Sequence, residues 1–420
     1  MKHVIIGNSA GAIGCIEAIR HENTEDEIVV IASEPHHTYG RPLISYYLEG
    51  RTDRQRMKYR ADDFYEKNCV QTMLGETVTK ILPEEKKVAL QSGDLVSYDK
   101  LLVATGSSPV IFPAEGLELV KDITTFTTLD DAEYLLERVN ADARVFIVGA
   151  GLIGLKCAEG LRALTEHITV CDLAPRVLSS ILPEQPARIM REHLEAHGLK
   201  FCLGTGVQRF SVAERGYVAL LQSGEPIAFD LLVYAAGVRP NTGLIKDAGG
   251  EVNRGILVDE YGRTNLPDIY AAGDCTEAVD VCTGARKIMA LLPNAYFQGE
   301  AAGRHMAGLA AEHTPLIPEN AIGFFGKHIL SAGIYPEALT PQEENTEEYY
   351  KCFYFDEAEG KLRGYILIEG FARAGIYTAL VRDGTKLRPA QWERLRREPG
   401  LLAFDIMTRA KILRKKVGAK

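Results

Sequence analysis

The 420-residue chain lacks three features that would point to other classes of protein. None of its eight cysteines forms a C-x-x-C pair or has the spacing of a zinc or iron–sulfur site. The longest apolar runs, such as residues 231–238, are far too short to span a bilayer. The formal charge of −9 gives no excess of cations for a nucleic-acid backbone. We therefore predict a protein without a metal site, a membrane span or a nucleic-acid partner.

Composition is that of a globular protein, with 46% apolar and 25% charged residues. The length allows roughly two to four domains, each with its own core. A strand predicted from Lys2 leaves no room for a signal peptide, so we expect a cytoplasmic location. Most cysteines lie in apolar segments and are predicted to be structural. Cys275 and Cys282 are the exception, because they lie near a candidate cofactor motif.

The first glycine turn follows an apolar strand and is typical of a dinucleotide site. In VIIGNSAGAIG, Gly7 ends the strand, and the next helix directs free N–H groups at a pyrophosphate. Ser9, Ala10 and Ala12 are small enough for close approach of the backbone, although glycine is usual at two of these positions. Glu34 ends the second strand, where a carboxylate can accept from ribose hydroxyls; the alternative is an exposed acid at a strand end.

The second glycine turn is a complete G-x-G-x-x-G motif and predicts a second dinucleotide. Its predicted contacts are Gly149, Gly151, Ile153 and Gly154. Asp172 ends the paired strand, where it can bind the hydroxyls of an adenosine ribose. A carboxylate there repels a 2′-phosphate, so NADH is favoured over NADPH, although the nearby Arg176 keeps NADPH open. Two dinucleotides on one chain imply that electrons pass between them.

The two glycine turns belong to an internal duplication. Each lies in a strand–helix–strand unit, at residues 2–30 and 144–173. Each unit is followed by a small antiparallel meander and a buried strand, which ends at Gly106 or Gly237. From Pro315 onward, the apolar pattern alternates as in antiparallel strands.

We predict an α/β fold with two doubly wound, Rossmann-like domains and an α+β C-terminal domain that contains an antiparallel sheet. The predicted boundaries are 1–110 and 238–314 for the first dinucleotide-binding domain, 111–237 for the second, and 315–420 for the C-terminal domain. A helix is predicted from Pro389 to Lys416, and the last twelve residues of the chain hold six cations and no acid. This basic tail is either a solvated helix end or a docking patch for an acidic partner.

Five segments together resemble the FAD-dependent pyridine nucleotide-disulfide oxidoreductase family, nearest its rubredoxin reductase, ferredoxin reductase and NADH oxidase branches. In chain order they are the first strand–helix–strand unit, HTYGRPLIS, YDKLLVATGSSP, GAGLIG and RTNLPDIYAAGDC, and they cover about residues 1–335. The resemblance implies the glutathione-reductase type of fold, with FAD at the first glycine turn and NAD(H) at the second. The implied contacts are Arg41, Pro42, Thr105, Gly106, Asp274 and Asn294 for FAD, and Gly237 near NAD(H).

The chain departs from this family where electrons would leave the flavin. Disulfide-reducing members have a C-x4-C pair after the first unit, but this chain has no cysteine between Cys15 and Cys69. Other branches have a single cysteine in this loop, and Pro42 stands in its place. The resemblance therefore implies that electrons leave the flavin without a thiol relay.

A second departure provides two candidate catalytic residues. Tyr46 stands where related reductases have a lysine, and Lys156 stands where they have a glutamate. Lys156 can stabilise negative charge on a reduced flavin, with Glu159 one turn on as a replacement acid. The alternative is a surface lysine that contacts nothing.

The sequence thus predicts an FAD-dependent oxidoreductase that exchanges electrons between NAD(H) and a one-electron protein carrier. The carrier is of rubredoxin, ferredoxin or iron–sulfur subunit type, and the direction stays open. The same features fit the flavin subunit of a larger redox complex, such as an aldehyde oxidoreductase, and a hetero-oligomer or a homodimer. One alternative is an NADH oxidase that reduces oxygen. Another is a flavin-binding docking or redox-sensing module.

Overall fold

The computed structural model describes residues 1–309, 315–401, 404, 406–407 and 409–410. The chain forms two compact units, one of residues 1–279 and 286–314 and the other of residues 280–285 and 315–420. No helix in the described part of the chain is long and apolar enough to cross a membrane.

The first unit begins with a parallel sheet. The elements of residues 1–110 are β1 (Lys2–Ile6), α1 (Ala10–Glu22), β2 (Glu27–Ala32), α2 (Ile44–Leu48), α3 (Phe64–Lys67), β3 (Val70–Leu74), β4 (Val78–Leu82), β5 (Lys87–Leu90), β6 (Leu95–Ser97), β7 (Lys100–Val103) and β8 (Ser107–Pro109). β1 pairs in parallel with β2 on one side and with β7 on the other, and β2 pairs with β3. The core residues of β1 and β2 are almost fully buried, as expected for a parallel sheet covered on both faces.

The next part of the chain repeats this order of elements. The elements of residues 111–240 are β9 (Ile123–Thr124), α4 (Leu129–Arg138), β10 (Val145–Val148), α5 (Leu152–Leu161), β11 (Ile168–Asp172), α6 (Glu184–Ala196), β12 (Lys200–Leu203), β13 (Val207–Val212), β14 (Tyr217–Leu221), β15 (Pro226–Phe229), β16 (Leu231–Tyr234) and β17 (Val238–Pro240). The second parallel sheet has the order β12-β11-β10-β16-β9. The predicted meanders are the antiparallel sheets β4-β5-β6 and β13-β14-β15, so the duplication is confirmed.

The chain then returns to the first sheet. The elements of residues 241–309 are α7 (Gly243–Asp247), β18 (Ile256–Leu257), β19 (Ile269–Ala271), β20 (Thr276–Val279), β21 (Arg286–Lys287) and α8 (Leu292–Met306). β19 completes the first parallel sheet in the order β19-β7-β1-β2-β3. The predicted pair of doubly wound sheets is therefore confirmed.

The second unit contains the predicted antiparallel sheet. Its elements are β22 (Glu319–Phe324), β23 (Lys327–Gly333), β24 (Gln342–Asn345), β25 (Tyr350–Asp356), β26 (Lys361–Ile368), α9 (Gly375–Arg382) and α10 (Pro389–Arg397). The strand order is β22-β23-β26-β25-β24, and a tight turn at residues 357–360 joins β25 to β26. The only tryptophan, Trp392 of α10, stacks on Phe355 of the sheet with ring centroids 4.6 Å apart.

The helix predicted from Pro389 to Lys416 was wrong in its extent. α10 ends at Arg397, and Glu398 has an extended backbone with φ −143°. The cause is Pro399, because a proline disfavours the helical conformation of the residue before it. Residues 406–407 and 409–410 are again helical, and the rest of the predicted basic tail, from residue 411, lies outside the described residues.

Candidate functional site

The first glycine turn joins β1 to α1 in a conformation that few residues other than glycine adopt. Gly7 has φ +112°, and a Cβ atom there would lie 2.2 Å from the carbonyl oxygen of Ala104. α1 begins at Ala10 with Ser9 as its N-cap residue, and its first turn contains no acidic side chain. Ala10 and Ala12 are buried. This helix end presents free N–H groups without a competing carboxylate of its own, which suits a pyrophosphate.

α8 places a second helix N-terminus beside that of α1. The two helices run parallel with their backbones in contact, at Gly299 against Gly11 and at Gly303 against Cys15. A Cβ atom at Gly299 would lie 1.9 Å from the Gly11 carbonyl oxygen, so only glycine permits this approach. Asn294 lies in the first turn of α8 and is 3% exposed. Two positive helix ends thus converge at one edge of the first parallel sheet.

Glu34, just beyond β2, is held by two side chains of the following loop. One carboxylate oxygen accepts a hydrogen bond from the Tyr39 hydroxyl at 2.6 Å, and the other forms an ion pair with Arg41. Pro42 stands in the first turn of a short 3₁₀ helix, Arg41–Leu43. Glu34 is therefore an oriented carboxylate rather than an isolated acid at a strand end. Sequence reasoning identified Glu34 and Arg41 but missed Tyr39.

Asp274 follows β19 in a turn that is anchored to α8. Burial raises the pKa of Asp274, whereas a hydrogen bond from the Ser107 hydroxyl, at 3.4 Å, and the charge of Arg41 oppose this rise. The side-chain oxygen of Gln298 on α8 accepts from the backbone N–H of Gly273 at 2.6 Å. Gln298 thus helps to fix the turn that carries Asp274, and sequence reasoning did not identify it.

The residues predicted to contact the cofactors near the crossover between the two parallel sheets differ in whether they are free to bind a ligand. The Thr105 hydroxyl donates to the carbonyl oxygen of Asn241 at 2.9 Å, so it joins the two crossover segments. Gly106 and Gly237 have φ +64° and +117°, and a Cβ atom on either would meet nothing within 4 Å. Open space therefore lies beside both glycines, while the Thr105 hydroxyl is already engaged.

The second glycine turn has the same backbone geometry as the first. Gly149 has φ +121°, and a Cβ atom there would lie 2.2 Å from the carbonyl oxygen of Ala235. A Cβ atom at Gly154 would lie 2.0 Å from the Gly149 carbonyl oxygen, whereas one at Gly151 would meet nothing within 4 Å. Ile153 lies in the first turn of α5. The open position at Gly151, at the N-cap of α5, is where a pyrophosphate can approach.

Asp172 lies at the end of β11 and faces this second turn. Its two carboxylate oxygens accept from the backbone N–H groups of Ala150, at 2.6 Å, and Ala174, at 2.8 Å. Arg176 donates to the carbonyl oxygen of Leu182 at 3.2 Å, which engages its guanidinium within the same loop. This geometry favours an unphosphorylated ribose, because the carboxylate is in place and the nearest arginine is occupied.

The two candidate catalytic residues lie together where α2 packs on α5. The Lys156 ammonium forms an ion pair with Glu159 and lies 4.6 Å from the centroid of the Tyr46 ring. The side chains of Lys156 and Glu159 are 13% and 5% exposed. The alternative of a surface lysine without contacts was therefore wrong. Arg51 lies over the same ring, 4.9 Å from its centroid.

The eight cysteines all lie within the described residues and form no disulfide bonds. Burial raises the pKa of the Cys275 thiol, the one beside Asp274, to about 11. Its sulfur donates to the carbonyl oxygen of Ala272 at 3.3 Å. The described residues also contain no cluster of histidine, cysteine or carboxylate side chains that could hold a metal ion.

The two turns fit dinucleotides. Each combines a glycine whose Cβ would collide with the residue that follows the adjoining strand, a helix N-terminus, and a carboxylate at or just beyond the end of the second strand of the unit. A family model described as pyridine nucleotide-disulphide oxidoreductase matches residues 1–299.

Two curated relatives are similar over most of the chain. The assimilatory nitrate reductase electron transfer subunit of Bacillus subtilis (strain 168) is 33% identical over 371 residues, which cover 87% of this chain and 47% of that protein. The NADH-dependent phenylglyoxylate dehydrogenase subunit epsilon of Aromatoleum evansii is 30% identical over 395 residues, which cover 92% of this chain and 93% of that protein. The chain thus spans about half the length of the first relative and nearly all of the second.

A solved structure confirms the fold. The covalent putidaredoxin reductase–putidaredoxin complex matches with a TM-score of 0.85 and 22% identity, over 100% of this chain and 99% of that chain. The family match confirms the predicted cofactors, FAD and NAD(H). The relative from Aromatoleum evansii is itself named as NADH-dependent.

Proposed function

Because the chain belongs to the pyridine nucleotide-disulphide oxidoreductase family, we propose that it is an FAD enzyme that exchanges electrons between NAD(H) and a one-electron protein carrier. The observation that carries this proposal is that no cysteine stands between Cys15 and Cys69, where disulfide-reducing members have a pair. The flavin's electrons then have no thiol acceptor in this loop. A rubredoxin, a ferredoxin or an iron–sulfur subunit is the class of partner that takes electrons singly.

The two glycine turns and the residues around them hold the cofactors. The helix ends of α1 and α8, with Glu34, Arg41 and Asp274, bind FAD, and the Gly149 turn with Asp172 binds NAD(H). When bound, the flavin accepts a hydride and releases electrons one at a time. The protein's task is to hold the two dinucleotides against each other and to exclude water.

Lys156 and Tyr46 adjust the environment of the flavin. The contact between α2 and α5 brings a cation of the second parallel-sheet region against an aromatic ring of the first. Glu159 orients that cation by its ion pair. A positive charge at this place stabilises a reduced, anionic flavin.

The chain acts as one subunit of a larger redox complex. The match over nearly the full length of a dehydrogenase subunit supports this assignment, because that relative is named as part of a multisubunit enzyme. Three further statements are predictions of the same kind: the cytoplasmic location, the boundaries of the three domains and the identity of the carrier.

Anaerobic stopped-flow spectroscopy tests the proposal. We expect NADH to bleach the flavin absorbance within a second, and a rubredoxin or a ferredoxin to restore it faster than dissolved oxygen does. Bleaching that takes minutes would favour a docking or sensing module. Reoxidation that is fastest with oxygen would favour an NADH oxidase.

A further inference from the structure

The Tyr39 hydroxyl connects two parts of the first unit that are distant in sequence. It donates to Glu34 Oε2 at 2.6 Å and accepts from the backbone N–H of Leu129 at 3.1 Å. Leu129 is the first residue of α4, so its N–H has no partner within the helix. One hydroxyl therefore both orients the candidate ribose carboxylate and caps the helix that leads into the second parallel sheet.

Arg41 makes a parallel connection between the same two places. Its guanidinium forms the ion pair with Glu34 and donates to the carbonyl oxygen of Thr127 at 3.0 Å. It also lies over the Tyr39 ring, with 5.4 Å between Cζ and the ring centroid. Tyr39 and Arg41 thus hold opposite oxygens of Glu34 and reach adjacent backbone groups at the start of α4.

The surroundings keep the Tyr39 hydroxyl protonated and in place. Tyr39 is 9% exposed, and burial raises its pKa, so the hydroxyl stays a donor to the carboxylate. A separate capping box at the start of α4 is formed by Thr128 and Asp131, whose side chains accept from the backbone N–H groups of Asp131 and Thr128. Loss of the Tyr39 hydroxyl would leave the Leu129 amide without its partner, and no side chain of the capping box takes its place.

We propose that Tyr39 is a positioning residue that couples FAD binding at Glu34 to the docking of α4. This inference rests on the proposal that Glu34 binds the FAD ribose. The carboxylate of Glu34 is held from both sides, so its lone pairs stay directed at the ribose hydroxyls. Because the carboxylate is already oriented, FAD binding costs less conformational entropy. In return, FAD binding strengthens the anchor of α4.

The first test is FAD release from the holoenzyme of Tyr39→Phe, followed by flavin fluorescence. We expect release about 10-fold faster than in the wild type, as for the loss of a hydrogen bond to a charged group. Tyr217→Phe is the matched control, because the Tyr217 hydroxyl also donates to a carboxylate, Asp122, and accepts from a backbone N–H, that of Lys121. Tyr217 lies in β14, in the part of the chain that contains the second parallel sheet and not the proposed FAD site. Its variant should therefore release FAD at the wild-type rate.

A double-mutant cycle distinguishes positioning from a general loss of stability. If Tyr39 acts through Glu34, Tyr39→Phe adds little to the effect of Glu34→Gln on FAD release. Additive effects would overturn the positioning role and leave the FAD site intact. An unchanged release rate in Glu34→Gln would overturn the assignment of Glu34 itself, and with it this proposal.

Hydrogen exchange of the holoenzyme tests the contact between Tyr39 and the start of α4. The Leu129 amide should exchange faster in Tyr39→Phe than in the wild type, while amides of α6, far along the chain, stay unchanged. Equal exchange at Leu129 in both proteins would overturn the coupling to α4.

Discussion

The turns at Gly7 and Gly149 meet the same steric demand. Their φ angles are +112° and +121°, and a Cβ atom at either would lie 2.2 Å from the carbonyl oxygen of the alanine that directly follows the neighbouring strand. In both turns the chain must leave one buried strand and enter a helix within a few residues, close to the next strand of the sheet. Only glycine allows this path without strain.

The turns differ at the third position of the motif, which is Ala12 in the first and Gly154 in the second. α5 lies so close to its own turn that a Cβ at Gly154 would reach the Gly149 carbonyl oxygen. In α1 the close approach occurs further along, where a Cβ at Gly14 would lie 2.3 Å from the Tyr296 carbonyl oxygen of α8. The alanine at the third position of the first turn therefore reflects which neighbour the helix packs against.

The strongest test of this comparison is to remove each glycine in turn. We expect Gly7→Ala to lower the free energy of unfolding by about 3 kcal/mol and to purify without FAD, because strain and overpacking add. Gly149→Ala should lose flavin reduction by NADH while it keeps FAD. The ratio of flavin to protein absorbance and the bleaching by NADH measure the two effects. A Gly149→Ala protein without FAD would show that the two sites are not independent.

The contact between α1 and α8 is the next largest expected effect. A Cβ at Gly299 would lie 1.9 Å from the Gly11 carbonyl oxygen, so Gly299→Ala must push the helices apart. We expect a loss of about 2 kcal/mol in the free energy of unfolding, measured by denaturant titration, and weaker FAD binding. Arg304→Ala, which removes a partly exposed ion pair with Glu300, should cost less than about 1 kcal/mol. Equal losses in both variants would contradict the role of the glycine contact.

Sequence patterns predicted the features that repeat along the chain. Both strand–glycine–helix–strand units and both meanders follow from apolar periodicity and turn residues, which are local signals. β24 carries no such signal, because its sequence, QEEN, has no apolar alternation. The end of α10 was misplaced, although Pro399 provided a local signal that the prediction passed over.

The contacts that complete the site could not be predicted in this way. Tyr39 meets Leu129, Gln298 meets Gly273, and Tyr46 meets Lys156, in each case between segments that only the fold brings together. No periodicity relates such positions in one sequence. The sequence shows that each of these residues is polar, but it does not predict which residue each one contacts.

Gly151 distinguishes dinucleotide access from stability. A Cβ there would meet nothing within 4 Å, so Gly151→Ala should fold and keep FAD as the wild type does. Because the position faces the predicted pyrophosphate site, we expect the KM for NADH to rise about 10-fold, a loss of ~1.4 kcal/mol of binding. Gly243→Ala, which also has open space around it, should leave the KM unchanged. An unchanged KM in Gly151→Ala would place the dinucleotide elsewhere.

An effect of the same size is expected at Lys156, where α5 contacts α2. Lys156→Gln removes the cation that lies against Tyr46, and we expect the two-electron potential of the flavin to fall by about 30 mV, or ~1.4 kcal/mol. Lys200→Gln, at an exposed position of the second parallel sheet, removes the same charge without that contact and should leave the potential unchanged.

The aromatic ring provides the finer test, read by the same redox titration. Tyr46→Phe keeps a ring for the ammonium and should retain the wild-type potential, whereas Tyr46→Leu loses the ring and should lie between the wild type and Lys156→Gln. If Lys156→Gln and Lys200→Gln shift the potential equally, the effect belongs to the overall charge of the protein. If neither shifts it, the cation does not reach the flavin, and the role of the contact between α2 and α5 is limited to holding the two parallel-sheet regions together.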